Sequence, residues 1–201
     1  MTCETGAMDI AVYSGSFNPL HIGHLAIIKH AVEEAGFDMV YLIVSPKNPL
    51  KDGISSSSGP ERYLAAVEAV KRHFPDQQSR GNINVKVDDI ELNMPEPHYT
   101  IRTLRALKER EPQNTFTLIM GADNISDIRR WKDYKSLLKD FGTAVFPRKG
   151  FDLDKIIQDL LNEDPEYKIR IFDAPMVDIS STEIREAISR GKDISSLLMS
   201  L

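Results

Sequence analysis

Short apolar runs alternate with helical patterns along most of the chain, and this alternation limits the possible folds more than any other feature. Six runs have the length and composition of buried or half-buried strands: Ile10 to Tyr13, Met39 to Val44, Ile83 to Val87, Thr115 to Met120, Thr143 to Phe146 and Ile169 to Phe172. Strands that alternate with helices predict a single α/β domain built on a doubly wound parallel sheet. Ligands of such sheets bind beyond the carboxyl ends of the strands.

The segments between the strands carry helix-ending and helix-starting signals. Gly36 is placed to end the first helix, and Ser180 with Glu183 forms a Ser-x-x-Glu capping box at the start of the last one. The helical patterns are Leu25 to Ala35, Glu61 to Phe74 with Leu64, Val67, Val70 and Phe74 on one face, Tyr99 to Glu111, Trp131 to Lys139, Asp152 to Asn162, and a last helix with Ile184, Ala187 and Ile188 on one face. Residues 46–60 predict a long loop, of the kind that often forms a functional lid.

Length and composition describe an ordinary globular protein. The 201 residues suit one domain, assigned to residues 8–201, and residues 1–7 are interpreted as a native extension or a cloning remnant. The net charge of -5 argues against a general nucleic-acid-binding protein, and no apolar run reaches the ~20 residues that span a membrane. A single cysteine, Cys3, excludes an intramolecular disulfide and fits a reducing compartment, so we expect a cytoplasmic protein.

The turn after the first predicted strand, residues 14–24, carries the strongest chemical signal. Gly15 permits close approach of the backbone to a ligand, and Pro19 stiffens the loop. His21 and His24 lie three residues apart beside a helix start, whose free N–H groups and positive dipole end attract phosphate. Together these features favour a functional anion site over two histidines that only cap a helix.

Two segments carry a family resemblance. Gly15-Ser16-Phe17-Asn18-Pro19-Leu20-His21-Ile22-Gly23-His24 resembles the nucleotidyltransferase signature Gly-x-Phe-(Asp/Asn)-Pro-x-His-x-Gly-His. Ile179-Ser180-Ser181-Thr182-Glu183-Ile184-Arg185 is similar to the second signature of that superfamily, Ile-Ser-(Ser/Ala)-Thr-x-Ile-Arg. The resemblance implies a Rossmann-like nucleotidyltransferase fold in which both segments bind the phosphates of ATP. The residues implied are Gly15, Ser16, Phe17, His21, His24, Ile179, Ser180, Ser181, Thr182 and Arg185, with His24, His21 and Arg185 in catalytic roles.

Within the superfamily the chain resembles the bacterial nicotinate-nucleotide adenylyltransferases. The segments that carry this likeness are Asn48 to Lys51, Tyr99 to Leu104, Ile119 to Asn124 and Trp131. The expected substrates are ATP and nicotinate mononucleotide, the latter held by Asn18, Lys47, Lys51, Thr100 and Trp131. Trp131 would stack on the pyridine ring, and Thr100 would mark a helix start that receives the carboxylate; a packing anchor and a helix cap are the alternatives. Many relatives have Pro-Pro-His-Lys at residues 48–51, so Leu50 replaces a phosphate-contacting histidine.

The implied reaction requires alignment and positive potential more than a base. The attacking phosphate is already an anion at pH 7, so the site must gather donors and cations around two anionic groups. His24 would donate to the α- and β-phosphate oxygens, and Asp123, after Gly121 at a strand end, would bind the ATP ribose. Arg148 is assigned to ATP, with a surface arginine as its alternative. We expect Mg²⁺ to arrive with ATP rather than in a carboxylate cage, and we assign no metal ligands in the protein.

The sequence leaves several competing functions open. His-x-Gly-His also occurs in class I aminoacyl-tRNA synthetases, but the partner Lys-Met-Ser-Lys-Ser loop is absent. An adenylyltransferase for nicotinamide mononucleotide, or for both mononucleotides, would carry the same two signatures. A phosphopantetheine adenylyltransferase and a non-catalytic nucleotide sensor also stay open. The sequence does not determine the oligomeric state, and a homo-oligomer stays open.

Overall fold

Six parallel strands form one sheet in the part of the chain that the computed structural model describes, residues 6–46, 58–75, 85–174 and 179–199. The strands are β1 (Asp9–Gly15), β2 (Met39–Val44), β3 (Val85–Asp88), β4 (Thr115–Gly121), β5 (Thr143–Phe146) and β6 (Ile169–Ile171). Their order in the sheet is β3-β2-β1-β4-β5-β6, and every neighbouring pair is parallel. This order confirms the predicted doubly wound α/β fold.

Helices cover both faces of the sheet. They are α1 (Ile22–Glu33), α2 (Gly59–His73), α3 (Thr100–Arg110), α4 (Ala122–Ser126), the single turn α5 (Tyr134–Ser136), α6 (Leu153–Glu163) and α7 (Ser181–Ser189). A π-helix, Leu137–Phe141, continues α5, and short 3₁₀ turns lie at Ile90–Asn93, Ile128–Arg130 and Ser195–Leu197. The short helical stretch predicted around Trp131 to Lys139 is present but begins at Tyr134, because Trp131 precedes α5, and its second part is a π-helix, which is wider than an α-helix.

The alternation of side chains along β1 divides the core into two layers. Ala11 and Tyr13 pack with α1 and α2 on one face, whereas Ile10 and Val12 pack with α3 and α6 on the other. Because both faces are covered, the strand is apolar at consecutive positions, as parallel sheets require. No helix among the described residues is both long and apolar enough to cross a membrane.

Two expected core positions are exposed instead. Leu64 is 62% exposed, and the buried stripe of α2 runs through Arg62, Ala66, Ala69 and Val70. Ile188 is 51% exposed, and Ile184 is the buried residue of α7. Helical spacing identifies a face, while the neighbouring elements decide how far along that face contact extends. Most of the predicted loop, residues 47–57, and the first residues of the third predicted strand, Ile83 and Asn84, lie outside the described residues.

The topology creates a crevice at the centre of the sheet. From β1 the chain moves to one side through β2 and β3, and it returns to the other side of β1 as β4. The connections therefore leave the carboxyl ends of β1 and β4 in opposite directions, and space opens beyond Gly15 and Gly121.

Candidate active site

A cleft of about 550 Å³ lies at this switch point and reaches both faces of the sheet. Tyr13, Phe17 and Phe146, from the α1 layer of the core, line one half of it. Tyr99 and Trp131, from the α3 layer, line the other half. A cleft with two halves that meet above strand ends can hold two ligands with their reacting groups close together.

Paired histidines at the start of α1 lie in the first half. The backbone N–H of His21, the N-cap residue, donates to Nδ1 of His24 at 3.2 Å, and the two ring centroids are 3.7 Å apart. With Nδ1 as acceptor, neutral His24 carries its proton on Nε2. A Cβ atom at Gly23 would lie 3.0 Å from the His21 ring, so a side chain at this position would press on that ring.

Burial makes both histidines neutral at pH 7. Burial, with a smaller effect of the Arg148 charge, lowers the pKa of His21 to about 4. Burial followed by the nearby charges of His21 and Arg148 holds the pKa of His24 well below its ordinary value of 6.5. The ring of Phe17 meets His24 edge-on, with 5.1 Å between the centroids, and contributes to this dry surrounding. The pair therefore offers N–H donors without positive charge.

The start of α7 docks on the turn that precedes these histidines. Ser181 Oγ donates to the Pro19 carbonyl at 3.1 Å, and Arg185 Nη1 donates to the Asn18 carbonyl at 2.8 Å. The side chains of Ser180 and Glu183 form the predicted capping box, in which Ser180 Oγ accepts the Glu183 N–H at 3.2 Å. The Ser180 hydroxyl is therefore already bonded within the helix. The groups that α7 can offer to an anion are the backbone N–H groups of its first turn.

A cation and a carboxylate lie beyond β4 and β5. Arg148 Nε and Asp123 Oδ1 are 3.7 Å apart, and the Arg148 guanidinium lies over the Phe146 ring at 5.2 Å from its centroid. A Cβ atom at Gly121 would collide with Asp123 Oδ1, so glycine there lets the carboxylate fold back over the strand end. In this arrangement Asp123 tethers the Arg148 cation beside the histidine pair.

The second half of the cleft is aromatic and contains another helix start. Tyr99 is the N-cap of α3 and makes no side-chain capping bond, and the first turn of α3 carries no acidic residue. Trp131, Arg130 and Lys132 contribute to the same cleft. A flat ring with an anionic substituent fits this half, since stacking and helix N–H donors are both at hand.

Most of the residues predicted for the site line this cleft. They are Gly15, Ser16, Phe17, His21, His24, Thr100, Gly121, Asp123, Trp131, Arg148, Ser180, Ser181, Thr182 and Arg185. Asn18 and Ile179 are not among its lining residues. The Asn18 carbonyl accepts from Arg185, and Ile179 lies beside Gly23, where its Cγ2 would be 3.1 Å from an added Cβ atom. Lys47 and Lys51 lie outside the described residues. Within the described ranges, no three His, Cys, Asp or Glu side chains are arranged to hold a metal ion.

Three features of the site had not been predicted from the sequence. Arg62 of α2 donates to the carbonyls of Ser16 and Ser45, at the ends of β1 and β2. Glu91 and His98 are buried polar residues in the cleft wall. Leu198 forms an antiparallel bridge with His21 and so ties the C-terminal segment to the histidine turn. Of these features, only Arg62 had a local signal in the sequence, because it lies in line with the buried stripe of α2. The burial of Glu91 and His98 and the bridge of Leu198 depend on contacts between distant parts of the chain.

Comparison with known proteins identifies the family of the chain and agrees with its fold. A family model described as cytidylyltransferase-like matches residues 12–187. A Flavobacterium johnsoniae protein named "Probable nicotinate-nucleotide adenylyltransferase" is 37% identical over 195 residues, 95% of this chain and 92% of the relative. A Flavobacterium psychrophilum protein of the same name is 39% identical over 191 residues, with the same coverage of 95% and 92%.

Solved structures show the same fold. Plasmodium falciparum nicotinic acid mononucleotide adenylyltransferase complexed with APC has a TM-score of 0.67 at 19% identity, over 94% of this chain and 87% of that one. The same enzyme complexed with NaAD has a TM-score of 0.66.

The fold, the paired-histidine cleft and the family match define a nucleotidyltransferase: the chain belongs to the cytidylyltransferase-like family. Within that family it belongs to the group of the nicotinate-nucleotide adenylyltransferases, to which the Flavobacterium relatives are assigned by name. The resemblance found in the two signature segments is confirmed.

Proposed function

We propose that this protein transfers the adenylyl group of ATP to nicotinate mononucleotide, giving deamido-NAD and pyrophosphate in NAD biosynthesis. One observation supports the proposal most strongly: one cleft at the strand ends reaches both faces of the sheet. Its first half contains two neutral histidines and a helix start, and its second half contains an aromatic wall and another helix start. The names of the relatives over nearly the whole chain support the same reaction.

ATP occupies the half formed by the turn after β1 and the start of α7. His24 Nε2–H, the first-turn N–H groups of α7 and the Arg185 guanidinium supply donors to the phosphates. We assign Asp123 to the ribose and Arg148 to a phosphate, and their location at the ends of strands β4 and β5 supports this assignment. Gly15, Ser16 and Phe17 form the floor beneath them.

Nicotinate mononucleotide occupies the other half. Its pyridine ring stacks on Trp131, and its carboxylate receives N–H groups at the start of α3, near Thr100. Its phosphate then points toward the switch point, where it meets the α-phosphorus of ATP. Lys47 and Lys51 are assigned to this phosphate from the sequence alone.

The reaction makes one bond and breaks one. A phosphate oxygen of the mononucleotide attacks the α-phosphorus, and the bond to the bridging oxygen between the α- and β-phosphates breaks to release pyrophosphate. The nucleophile is already deprotonated, so the chain supplies position and donors rather than a base. Because charge grows on the leaving pyrophosphate, the His24 hydrogen bond is stronger in the transition state than before it, which is the condition for acceleration. His21 positions His24 through its backbone N–H.

A divalent ion is expected with the nucleotide, as in nucleotidyltransferases generally, and we assign Mg²⁺. We expect this ion to be held by ATP phosphates and water. When bound, it would neutralise part of the phosphate charge. A cytoplasmic location remains a prediction from the single cysteine.

The acid substrate is expected to be preferred over nicotinamide mononucleotide by ~10-fold or more. N–H groups at the start of α3 satisfy a carboxylate but oppose the N–H groups of an amide, and an opposed donor costs roughly 1–3 kcal/mol. The test is a panel of nicotinate mononucleotide, nicotinamide mononucleotide and phosphopantetheine with ATP, scored by pyrophosphate release. Pyrophosphate release with no preference between the two mononucleotides would favour a dual-specificity enzyme. Turnover of phosphopantetheine alone, or of none of the three, would overturn the proposal.

A further inference from the structure

Two buried side chains in the aromatic half of the cleft each have a polar atom without a hydrogen-bond partner among the described residues. His98 is 7% exposed, and its unpaired atom is Nδ1. Glu91 is 2% exposed; its Oε1 accepts from Thr103 Oγ1 at 2.8 Å, while its Oε2 is unpaired. Both residues line the cleft. Buried polar groups in folded proteins are nearly always paired, so an unpaired one in a cleft wall points to a partner that arrives with the ligand.

The place of His98 in the chain says which part of a ligand it meets. His98 immediately precedes Tyr99, the N-cap of α3, and is two residues from Thr100, where the helix begins. The first turn of α3 has no acidic side chain and no side-chain cap, so its positive end is uncompensated. An imidazole at the mouth of this helix start adds a side-chain donor to the backbone donors.

We propose that His98 is a specificity-determining residue of this site and donates a ring N–H to the carboxylate of the acceptor mononucleotide. The inference rests on the proposed function and names a residue that sets its substrate preference. Glu91 lies in the wall of the same cleft, and its unpaired Oε2 is a second buried polar atom there without a partner among the described residues. His98 places a donor beside the incoming acid.

We expect His98→Ala to lower the ratio of kcat/KM for nicotinate mononucleotide to kcat/KM for nicotinamide mononucleotide. Loss of one hydrogen bond to a charged group should lower kcat/KM for nicotinate mononucleotide by about tenfold, equal to about 1.4 kcal/mol. The amide loses less, because it is uncharged and its hydrogen bond to the ring N–H is weaker than that of a carboxylate. The acid-to-amide ratio in His98→Ala should therefore fall severalfold, while KM for ATP stays within about twofold of the wild type.

The experiment compares the wild type, His98→Ala, His98→Gln and a control, His30→Ala, with both mononucleotides and ATP. Glutamine keeps an N–H donor and should recover part of the ratio, which a purely structural role would not produce. His30 packs against Phe172 at 4.8 Å between ring centroids, outside the cleft, so its variant should keep the wild-type ratio. Thermal unfolding of each variant checks that the proteins compared are folded, and His98→Gln serves as the test if His98→Ala does not fold.

Each of the following outcomes either supports or overturns the role proposed for His98. A lower ratio in His98→Ala with partial recovery in His98→Gln supports the inference. An unchanged ratio, or equal losses for both mononucleotides and ATP, overturns it while leaving the proposed function intact, provided that the wild type converts nicotinate mononucleotide. A wild type that does not convert nicotinate mononucleotide overturns the proposed function first, and this inference with it.

Discussion

Replacing Arg62 with methionine should destabilise the protein and disturb the ATP half of the cleft together. Arg62 is 4% exposed, and its guanidinium donates to three backbone carbonyls, those of Ser16, Ser45 and Pro46, the last two at 2.8 Å. Ser16 and Ser45 follow β1 and β2, and both line the cleft. A side chain of α2 therefore holds together the two turns that lead into the site.

The expected loss can be worked out from the burial of these carbonyls. Ser45 is buried, so its carbonyl would lose its arginine donor without access to water, at a cost of about 1–3 kcal/mol. Ser16 and Pro46 are half-buried, so water can replace part of each bond and the cost is about 0.5–1 kcal/mol apiece. The sum is about 3 kcal/mol, which for a chain of this size lowers Tm by about 6–12 °C. Arg62→Lys should recover part of this, because one ammonium group cannot reproduce the planar fork of a guanidinium.

Urea unfolding followed by circular dichroism measures the stability, and pyrophosphate release measures kcat/KM for ATP, which should fall about tenfold. Lys71→Met is the matched control on the same helix: Lys71 makes an exposed ion pair with Glu68 at 3.1 Å and should change stability by no more than about 0.5 kcal/mol. An Arg62→Met protein as stable as the Lys71→Met protein would refute the reasoning, since the three carbonyls would then not depend on the guanidinium.

Three further predictions concern the site itself. His24→Ala should lower kcat by at least ~10²-fold in a protein that still folds, measured by steady-state kinetics and thermal unfolding; near-normal turnover would remove His24 from its assigned role. Because burial lowers the pKa of His21 to about 4, the unfolded chain binds more protons than the folded one between about pH 6.5 and pH 4, so stability decreases as pH falls through this window. At pH 5 this contributes about 2 kcal/mol of loss, and urea unfolding at pH 7 and pH 5 should show a correspondingly smaller difference in His21→Gln; equal differences would contradict it. Trp131→Ala should raise KM for both mononucleotides and leave their kcat/KM ratio within about twofold, because stacking acts on the ring that they share; a changed ratio would place Trp131 against the substituent instead.

The central elements of the fold could be predicted from the sequence because their signals are local. Met39–Val44 and Thr143–Phe146 form strands over the residues predicted, since a strand buried on both faces is a continuous apolar run. The capping box at Ser180 is likewise contained within four residues, and its bonds are those that the Ser-x-x-Glu pattern predicts. The turn that carries His21 and His24 could be predicted for the same reason, because a strand, a glycine turn and a helix start follow one another directly in the chain.

Only the tertiary structure decided which residues of each helix or loop are buried in contact with other parts of the chain. Helical spacing placed Leu64 on an apolar face of its helix, yet Leu64 is exposed. Arg62 is buried instead, because its guanidinium bonds to carbonyls at the ends of two strands. No local pattern in the sequence singled out Glu91 and His98, yet both are buried in the cleft wall. The sequence determines which segments become strands and helices through interactions over a few residues. Burial of a polar group depends instead on whether distant segments bring donors, acceptors or a ligand to it, and that information exists only once the chain has folded.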